Sequence, residues 1–282
     1  MAVLGRRLER APFWVRWPVK WVVFGAVVFL VCYPYPSLLR RHLQNLKQMD
    51  RLPDPNEPLL QPLLRGLDEH LASKGVTTSS PAEWLRQVQV FVHQRIPYEY
   101  DWDSWGVVDY LPTLAEVIRQ GKEDCDGRAL VAAALIRAKI GEARLVGSSA
   151  HIWVSTPLGD TMGPLGEPTM TSSADGVRIR WLSFIDPADF AIGVALFPVT
   201  REAVIVLTAW LLLLPADVRK PQALLALLLL IEAWILLRLS GSNPYQPSYW
   251  GVAWALLHAL AALAIVDANP RLPAKDTGRS VS

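Results

Sequence analysis

Residues 121–130 read Gly121-Lys-Glu-Asp-Cys-Asp-Gly-Arg-Ala-Leu130 and set a thiol directly before a long apolar run. The run Leu130–Ile136 is apolar all round a helix, which predicts a central, buried helix that Gly141 ends. Cys125 then lies at the N-terminus of this helix, where the helix dipole favours negative charge. We therefore expect a lowered pKa for its thiol.

Two later motifs supply the other groups that thiol chemistry requires. His151 lies in Ala-His-Ile-Trp-Val-Ser, and Asp186 lies in Ser-Phe-Ile-Asp-Pro. A nucleophilic thiol needs a base, and the base needs a group that orients it. His151 begins one predicted strand and Asp186 ends the next. If these strands are adjacent and antiparallel, the carboxylate lies beside the imidazole, so the order predicts a nucleophile, a base and an orienting acid.

The residues around these motifs predict one soluble α+β domain over residues 57–188, preceded by a polar, proline-containing linker over 36–56. Ser80 and Thr113 each begin a capping box. Pro157–Gly176 is rich in Gly, Pro, Ser and Thr and predicts a long loop or an irregular hairpin. Helical spacing and strand-like runs predict the elements Leu59–Lys74, Ser80–Arg95, Thr113–Gly121, Ala143–Ser148, His151–Thr156 and Val177–Ile185.

Long apolar segments outside this domain predict transmembrane helices. A hydrocarbon core of about 30 Å needs roughly 20 apolar residues. Residues 18–35 lack a following small-x-small cleavage site and are read as a retained anchor rather than a signal peptide. The segment 190–215 is interrupted by Arg201-Glu202, so it is either a tilted span or a partly interfacial helix. The remaining predicted spans are 221–239 and 249–267.

Basic residues set the predicted orientation of the spans. The segments 1–17 and 268–282 and the link Asp217-Val-Arg-Lys220 are basic, which places them in the cytoplasm and the domain outside it. With one span fewer, the domain would lie on the opposite side. Glu232 and His258 fall at similar depths in the last two spans, and because polar residues in a membrane are usually paired, we expect them to be in contact.

Composition excludes some functions. The net charge of the 282-residue chain is +2, so no nucleic-acid-binding surface is predicted. The two cysteines are Cys32, in the first apolar segment, and Cys125. Their different contexts argue against a disulfide.

The motifs together resemble the transglutaminase-like superfamily, in particular its bacterial cysteine-proteinase members. The likeness covers about residues 80–188 and includes Asp-Cys-Asp-Gly-Arg-Ala, Ala-His-Ile-Trp-Val, Ile-Asp-Pro and the upstream Asp109–Ile118. It departs in Lys-Glu, where many relatives have Gly before Asp-Cys. The resemblance implies a papain-like α+β core, in which a buried Cys helix packs on a small antiparallel sheet. It also implies a triad of Cys125, His151 and Asp186 that forms a thioester from an amide.

The resemblance leaves the oxyanion donors and the metal dependence less defined. Trp105 and Tyr110 are candidates for a second oxyanion donor beside the Cys125 backbone N–H. We predict no cofactor, although some relatives bind calcium in this region. An acidic group surrounds the motif, and helix capping is the favoured explanation for it: Asp101, Asp103, Asp109, Glu116, Glu123, Asp124 and Asp126.

These features predict an integral protein of a bacterial cell membrane that attacks an amide in a protein or peptide of the envelope or membrane surface. Hydrolysis is favoured over transfer to an amine, because no feature of the sequence selects glutamine. The alternative is a catalytically inactive domain that serves as a membrane-bound binding or assembly module. A transporter fits less well, because the spans contain few polar residues.

Overall fold

The structure is a computed structural model that describes residues 12–164, 166–180, 186–215 and 218–267. The chain divides into two units. One is a domain over residues 29–193, which contains all the candidate site residues. The other is a helical unit formed by residues up to 28 and from 194 onward. The predicted cytoplasmic tail, 268–282, and most of the N-terminal segment lie outside the described residues.

Helices make up most of the described chain. Their bounds, numbered in chain order, are α1 Phe13–Cys32, α2 Pro36–Lys47, α3 Gln61–Lys74, α4 Pro81–Arg95, α5 Asp101–Ser104, α6 Leu114–Gln120, α7 Cys125–Ile140, α8 Pro187–Leu196, α9 Val199–Leu213, α10 Lys220–Ser240 and α11 Tyr249–Asp267. Short 3-10 helices cover Met49–Arg51 and Pro58–Leu60. The predicted capping box at Thr113 is confirmed, whereas Ser80 makes no side-chain cap hydrogen bond.

The predicted linker over 36–56 is wrong, because most of it is α2. Pro36 occupies the first turn, a position that proline tolerates in a helix. Asn45 donates its amide to the Leu111 carbonyl at 2.8 Å, and the Leu111 N–H donates to His42 Nδ1 at 3.0 Å. These two bonds hold α2 against the domain, whose boundary therefore lies well before residue 57.

Among the described residues, five antiparallel strands form one sheet in the order β3-β2-β1-β4-β5. Their bounds are β1 Arg144–Gly147, β2 Ile152–Thr156, β3 Gly159–Thr161, β4 Met170–Ser173 and β5 Gly176–Ile179. The segment Pro157–Gly176, predicted as a long loop or an irregular hairpin, contains β3 and β4, which fits the second alternative better than the first. Strand β2 pairs with β1 and β3, and β5 pairs with β4, so the described part of the Val177–Ile185 run does not meet the condition that it lies beside β2. Residues 181–185 lie outside the described part.

Helix α7 is the centre of the domain, and this confirms the α+β prediction of a buried helix with a small antiparallel sheet. Every side chain from Ala129 to Ile136 is buried. Strand β2 buries both Trp153 and Val154, which point to opposite faces of the sheet. Each large apolar side chain buried in this way contributes about 1.5–3 kcal/mol. The thiol at the start of α7 is therefore attached to a helix that the core surrounds.

Within the part of the chain that the structure describes, three helices are long and apolar enough to cross a membrane: Trp14–Cys32, Lys220–Ser240 and Tyr249–Val266. Helices α8 and α9 pass the same test only as a pair, and they meet at an angle of 118°. The break lies at Phe197-Pro198, just before Glu202 in the first turn of α9. The choice between a tilted span and a partly interfacial helix stays a prediction. The predicted contact in the last two spans is confirmed, since His258 Nε2 lies 3.6 Å from Glu232 Oε1.

Arg238 of α10 holds the bend between α8 and α9. Its guanidinium pairs with Glu202, which also accepts a hydrogen bond of 2.8 Å from Trp234 Nε1. The guanidinium also donates to three carbonyls around the end of α8: Val194, Ala195 and Phe197. Carbonyls at a helix C-terminus lack partners within the helix, so Arg238 satisfies groups that would be costly to leave unpaired in apolar surroundings.

Replacing Arg238 by Leu should destabilise the helical unit. The change leaves the buried Glu202 without its cation and removes the donor from three carbonyls, a loss of about 3–5 kcal/mol for a broken buried pair. We expect a lower unfolding midpoint for the full chain in detergent, followed by tryptophan fluorescence. The double variant Arg238→Leu/Glu202→Leu should recover part of the loss. An unchanged midpoint in the single variant would contradict the bracing role of Arg238.

Candidate active site

Cys125 is the first residue of α7, and the residues beside it explain the motif. The Asp124 carboxylate caps the helix by accepting the Asp126 N–H at 3.2 Å. Gly127 is required for a different reason. A Cβ at this position would lie 2.3 Å from Cγ of Glu123, so only glycine lets that side chain cross the first turn of the helix. The acidic and glycine residues of the motif thus fold the chain around the thiol.

The Cys125 thiol is within hydrogen-bond reach of the Ile152 backbone N–H, at the first residue of β2. Burial raises the pKa of this thiol well above its usual value, and the nearby Asp124 carboxylate raises it further. The hydrogen bond from Ile152 opposes this but is the smaller effect. The expected lowering of the thiol pKa is therefore wrong, because desolvation and the surrounding carboxylates outweigh the dipole of one helix.

His151 directly precedes β2 and is positioned through its backbone and its ring. The Ser148 N–H donates to the His151 carbonyl at 2.8 Å, and the ring stacks on that of Trp153 with centroids 6.0 Å apart. Ring Nε2 lies 3.1 Å from the Met162 carbonyl oxygen, with a further contact to the Gly163 backbone. Burial lowers the pKa of the imidazole, so the neutral form is favoured.

The structure brings Cys125 and His151 to the same end of β2, because the thiol contacts the residue that follows the histidine. Among the described residues, the hydrogen bonds of the His151 ring go to Met162 and Gly163 and not to the Cys125 sulfur. The carbonyl of Met162 can only accept, so the ring proton is on Nε2 and Nδ1 has a free lone pair. In this tautomer Nδ1 is the ring nitrogen that could accept a proton.

The structure does not join Asp186 to the His151 ring. Oδ1 of Asp186 accepts the Ala188 N–H at 2.8 Å, which caps the start of α8. A different carboxylate, Asp189, accepts a hydrogen bond from the Ser149 hydroxyl in the turn before His151. The sequence contained Asp189 one turn after the Ile-Asp-Pro motif, but nothing in its pattern distinguished it. The orienting role of Asp186 stays a prediction.

Trp105 and Tyr110, the candidate oxyanion donors, are both engaged by carboxylates. The indole N–H of Trp105 donates to Glu123, and the Tyr110 hydroxyl lies 3.3 Å from both oxygens of Glu116. The two rings also contact each other, with centroids 4.9 Å apart. Their donors are thus occupied in this arrangement, and an oxyanion role for either stays a prediction.

A cluster of carboxylates lies beside the thiol. Ligand oxygens of Asp101, Glu123 and Asp124 lie within 4.8 Å of one another. Burial raises the pKa of Asp101 to about 10 and that of Glu123 to about 8. Oδ1 of Asp101 and Oδ1 of Asp126 are buried and have no hydrogen-bond partner among the described residues. Grouped oxygens of this kind suit either protons or a hard divalent cation such as calcium.

Sequence reasoning also missed an aromatic group near the thiol. Tyr98 is 47% exposed, contacts Tyr100 edge-on and is covered by the Arg128 guanidinium at 5.0 Å. Tyr100 stacks on Trp102 with centroids 4.3 Å apart. The spacing of these three residues, every second position, is a strand-like pattern that gave no hint of a stack across the start of α5.

No protein-family model matches this chain, and no curated protein is similar enough to count as a relative. The likeness in the three motifs is thus not supported by a family model or by a curated relative.

Replacing Asp101 by Asn should stabilise the domain at alkaline pH. A carboxyl whose pKa is higher in the folded than in the unfolded chain binds a proton on folding, so stability falls as pH rises above about 4. Asn removes the charge and keeps an acceptor for the Tyr110 N–H. We expect the free energy of unfolding at pH 8 with EDTA to rise by about 1.4 kcal/mol, one pKa unit of the shift, and the gain to vanish near pH 4.

The matched control is Asp103→Asn, since Asp103 is exposed on the same short helix. This variant should unfold like the unchanged chain at both pH values. A loss of stability in Asp101→Asn at pH 8, with EDTA present, would contradict the raised pKa of the buried Asp101 carboxyl.

Proposed function

We propose that this chain is a membrane-anchored cysteine enzyme of the transglutaminase-like type, with a papain-like core, that attacks an amide of a protein or peptide through Cys125. The observation that supports this best is the placement of the thiol. It lies at the N-terminus of the buried α7 and within reach of the Ile152 N–H, next to His151. The proposed nucleophile and base thus lie at the same end of β2, on elements packed in the core.

The proposed reaction begins from a neutral pair. The raised thiol pKa and the lowered imidazole pKa disfavour a thiolate–imidazolium pair at rest. Nδ1 of His151 therefore takes the thiol proton as sulfur attacks the amide carbon. The C–N bond then breaks, and the amine leaves with that proton. Water attacks the resulting thioester with His151 again as base, which releases a carboxylic acid and restores the thiol.

Hydrolysis is proposed over transfer to an amine, since no feature of the sequence selects a glutamine substrate. The carboxylates of Asp101, Glu123 and Asp124 would hold a calcium ion if one binds, and its charge would stabilise the neighbouring thiolate. Basic flanks of the spans support a cell-membrane protein whose domain lies outside the cytoplasm. Substrates would then be proteins or peptides of the envelope or membrane surface.

The second candidate function is a binding or assembly module without catalysis. It is favoured by the raised thiol pKa and by the histidine ring, whose hydrogen bonds go to the backbone rather than to the thiol. In this case the triad residues would be structural, and the helical unit would serve to localise the domain.

Active-site labelling separates the two candidates. An amide-directed electrophile should modify the full chain in detergent, and Cys125→Ala should abolish the adduct detected by intact mass. His151→Ala should slow labelling by about 10²-fold or more, because a positioned base typically contributes 10²–10⁴-fold. Cys32→Ser is the matched control and should label normally.

Two results would oppose the enzyme. Equal labelling rates with and without the His151 imidazole would favour the binding module. Normal hydrolysis of a confirmed substrate by Cys125→Ala would exclude the thioester mechanism altogether.

A further inference from the structure

We infer that the backbone carbonyl of Met162, fixed by the side chain of Gln89, orients the imidazole of His151, in the place that the sequence assigns to Asp186. The catalytic meaning of this arrangement rests on the proposed function. The arrangement itself consists of hydrogen bonds that can be tested without a substrate. Gln89 and Met162 are positioning residues, because they act only through the histidine.

The His151 ring is hydrogen-bonded to the Met162 carbonyl. Nε2 of His151 lies 3.1 Å from the Met162 oxygen, which has no proton to give. The ring must therefore carry its proton on Nε2, and Nδ1 stays free as a base. A carboxylate in the same place would select the same tautomer. A neutral carbonyl does so without adding negative charge to a site where carboxylates already raise the pKa of the Cys125 thiol.

Met162 has an unusual backbone conformation. Its φ of 68° is the one positive φ of a non-glycine residue among those described. The left-handed region is unfavourable for a residue with a Cβ, so the surrounding structure must hold Met162 there. Gly163 follows with φ 75°, and together these two residues turn the chain after β3. Backbone strain of this kind, located at the base of a candidate active site, indicates that the carbonyl direction is imposed.

The side chain of Gln89 anchors the peptide group of Met162. Oε1 of Gln89 accepts the Met162 N–H at 3.2 Å and lies 3.4 Å from the Thr161 hydroxyl. The Thr161 hydroxyl also donates to the Leu85 carbonyl at 3.3 Å. Gln89 and Leu85 are one turn apart on α4, a helix whose inner face is packed in the core. The peptide that carries the orienting carbonyl is thus fixed to a rigid helix on its N–H side and to the imidazole on its C=O side.

The proposal is tested by determining the tautomer of His151 in the full chain. The chain is labelled with ¹⁵N-histidine and studied in detergent by long-range ¹H–¹⁵N correlation, with His151→Gln identifying the signals. We expect the Nε2–H tautomer in the unchanged chain. Gln89→Leu removes the acceptor and should mix the tautomers and slow Cys125 labelling about tenfold. Gln89→Glu keeps an acceptor oxygen and should restore the tautomer, and Asp186→Ala should leave it unchanged.

Two further variants complete the test. Gln94→Leu changes the same residue type at an exposed position of α4, and it should alter neither the tautomer nor the labelling rate. Met162→Gly removes the strain cost, frees the peptide to turn and should mix the tautomers even if Gln89→Leu fails to fold.

The inference is overturned if His151 carries its proton on Nδ1, or if Asp186→Ala shifts the tautomer while Gln89→Leu and Met162→Gly do not. Failure of the proposed function would look different. In that case the tautomer and its response to Gln89→Leu would be as inferred, but Cys125→Ala would still hydrolyse the substrate.

Discussion

The first turn of α7 brings a thiol and several carboxylates into the core of the domain, and this desolvation constrains everything around it. Asp124 must cap the helix, and position 127 must be glycine for the Glu123 side chain to pass. The start of β2 must present an N–H to the sulfur. The same burial makes the thiol a weak acid. In the proposed reaction a base would therefore act together with the attack on the substrate rather than before it.

The elements predicted most successfully from the sequence were those with one dominant signal. Helix α7 follows from its all-round apolar run, and the pairing of Glu232 with His258 follows from the cost of polar groups in a span. The linker over 36–56 was wrong, because prolines also begin helices. The segment Pro157–Gly176 contains two short antiparallel strands, which fits the predicted irregular hairpin better than the predicted loop. Since β2 pairs with β1 and β3, and β5 pairs with β4, the strand order does not follow the chain order.

The orienting group of the histidine could not have been found from residue types. A backbone carbonyl is present at every position, and only the turn at Met162 aims one at the ring. Gln89 lies more than sixty positions before His151, on the face of a helix that periodicity marks only as partly buried. By contrast, Cys125 and His151 were identifiable because thiols and imidazoles are rare and their flanking residues form distinct patterns. In the helical unit, Glu202 pairs with Arg238, and Glu232 pairs with His258. Such pairing suits an anchor better than a transport path.

The central claim is that Cys125 and His151 act as one nucleophile–base pair. It is tested most directly by an experimental structure of the full chain in detergent, determined with an amide-directed electrophile attached to Cys125. The account predicts His151 Nδ1 within hydrogen-bond reach of the modified sulfur or its adduct, with Nε2 still on the Met162 carbonyl. A histidine ring turned away from the adduct, with Nδ1 bonded to another group, would contradict it.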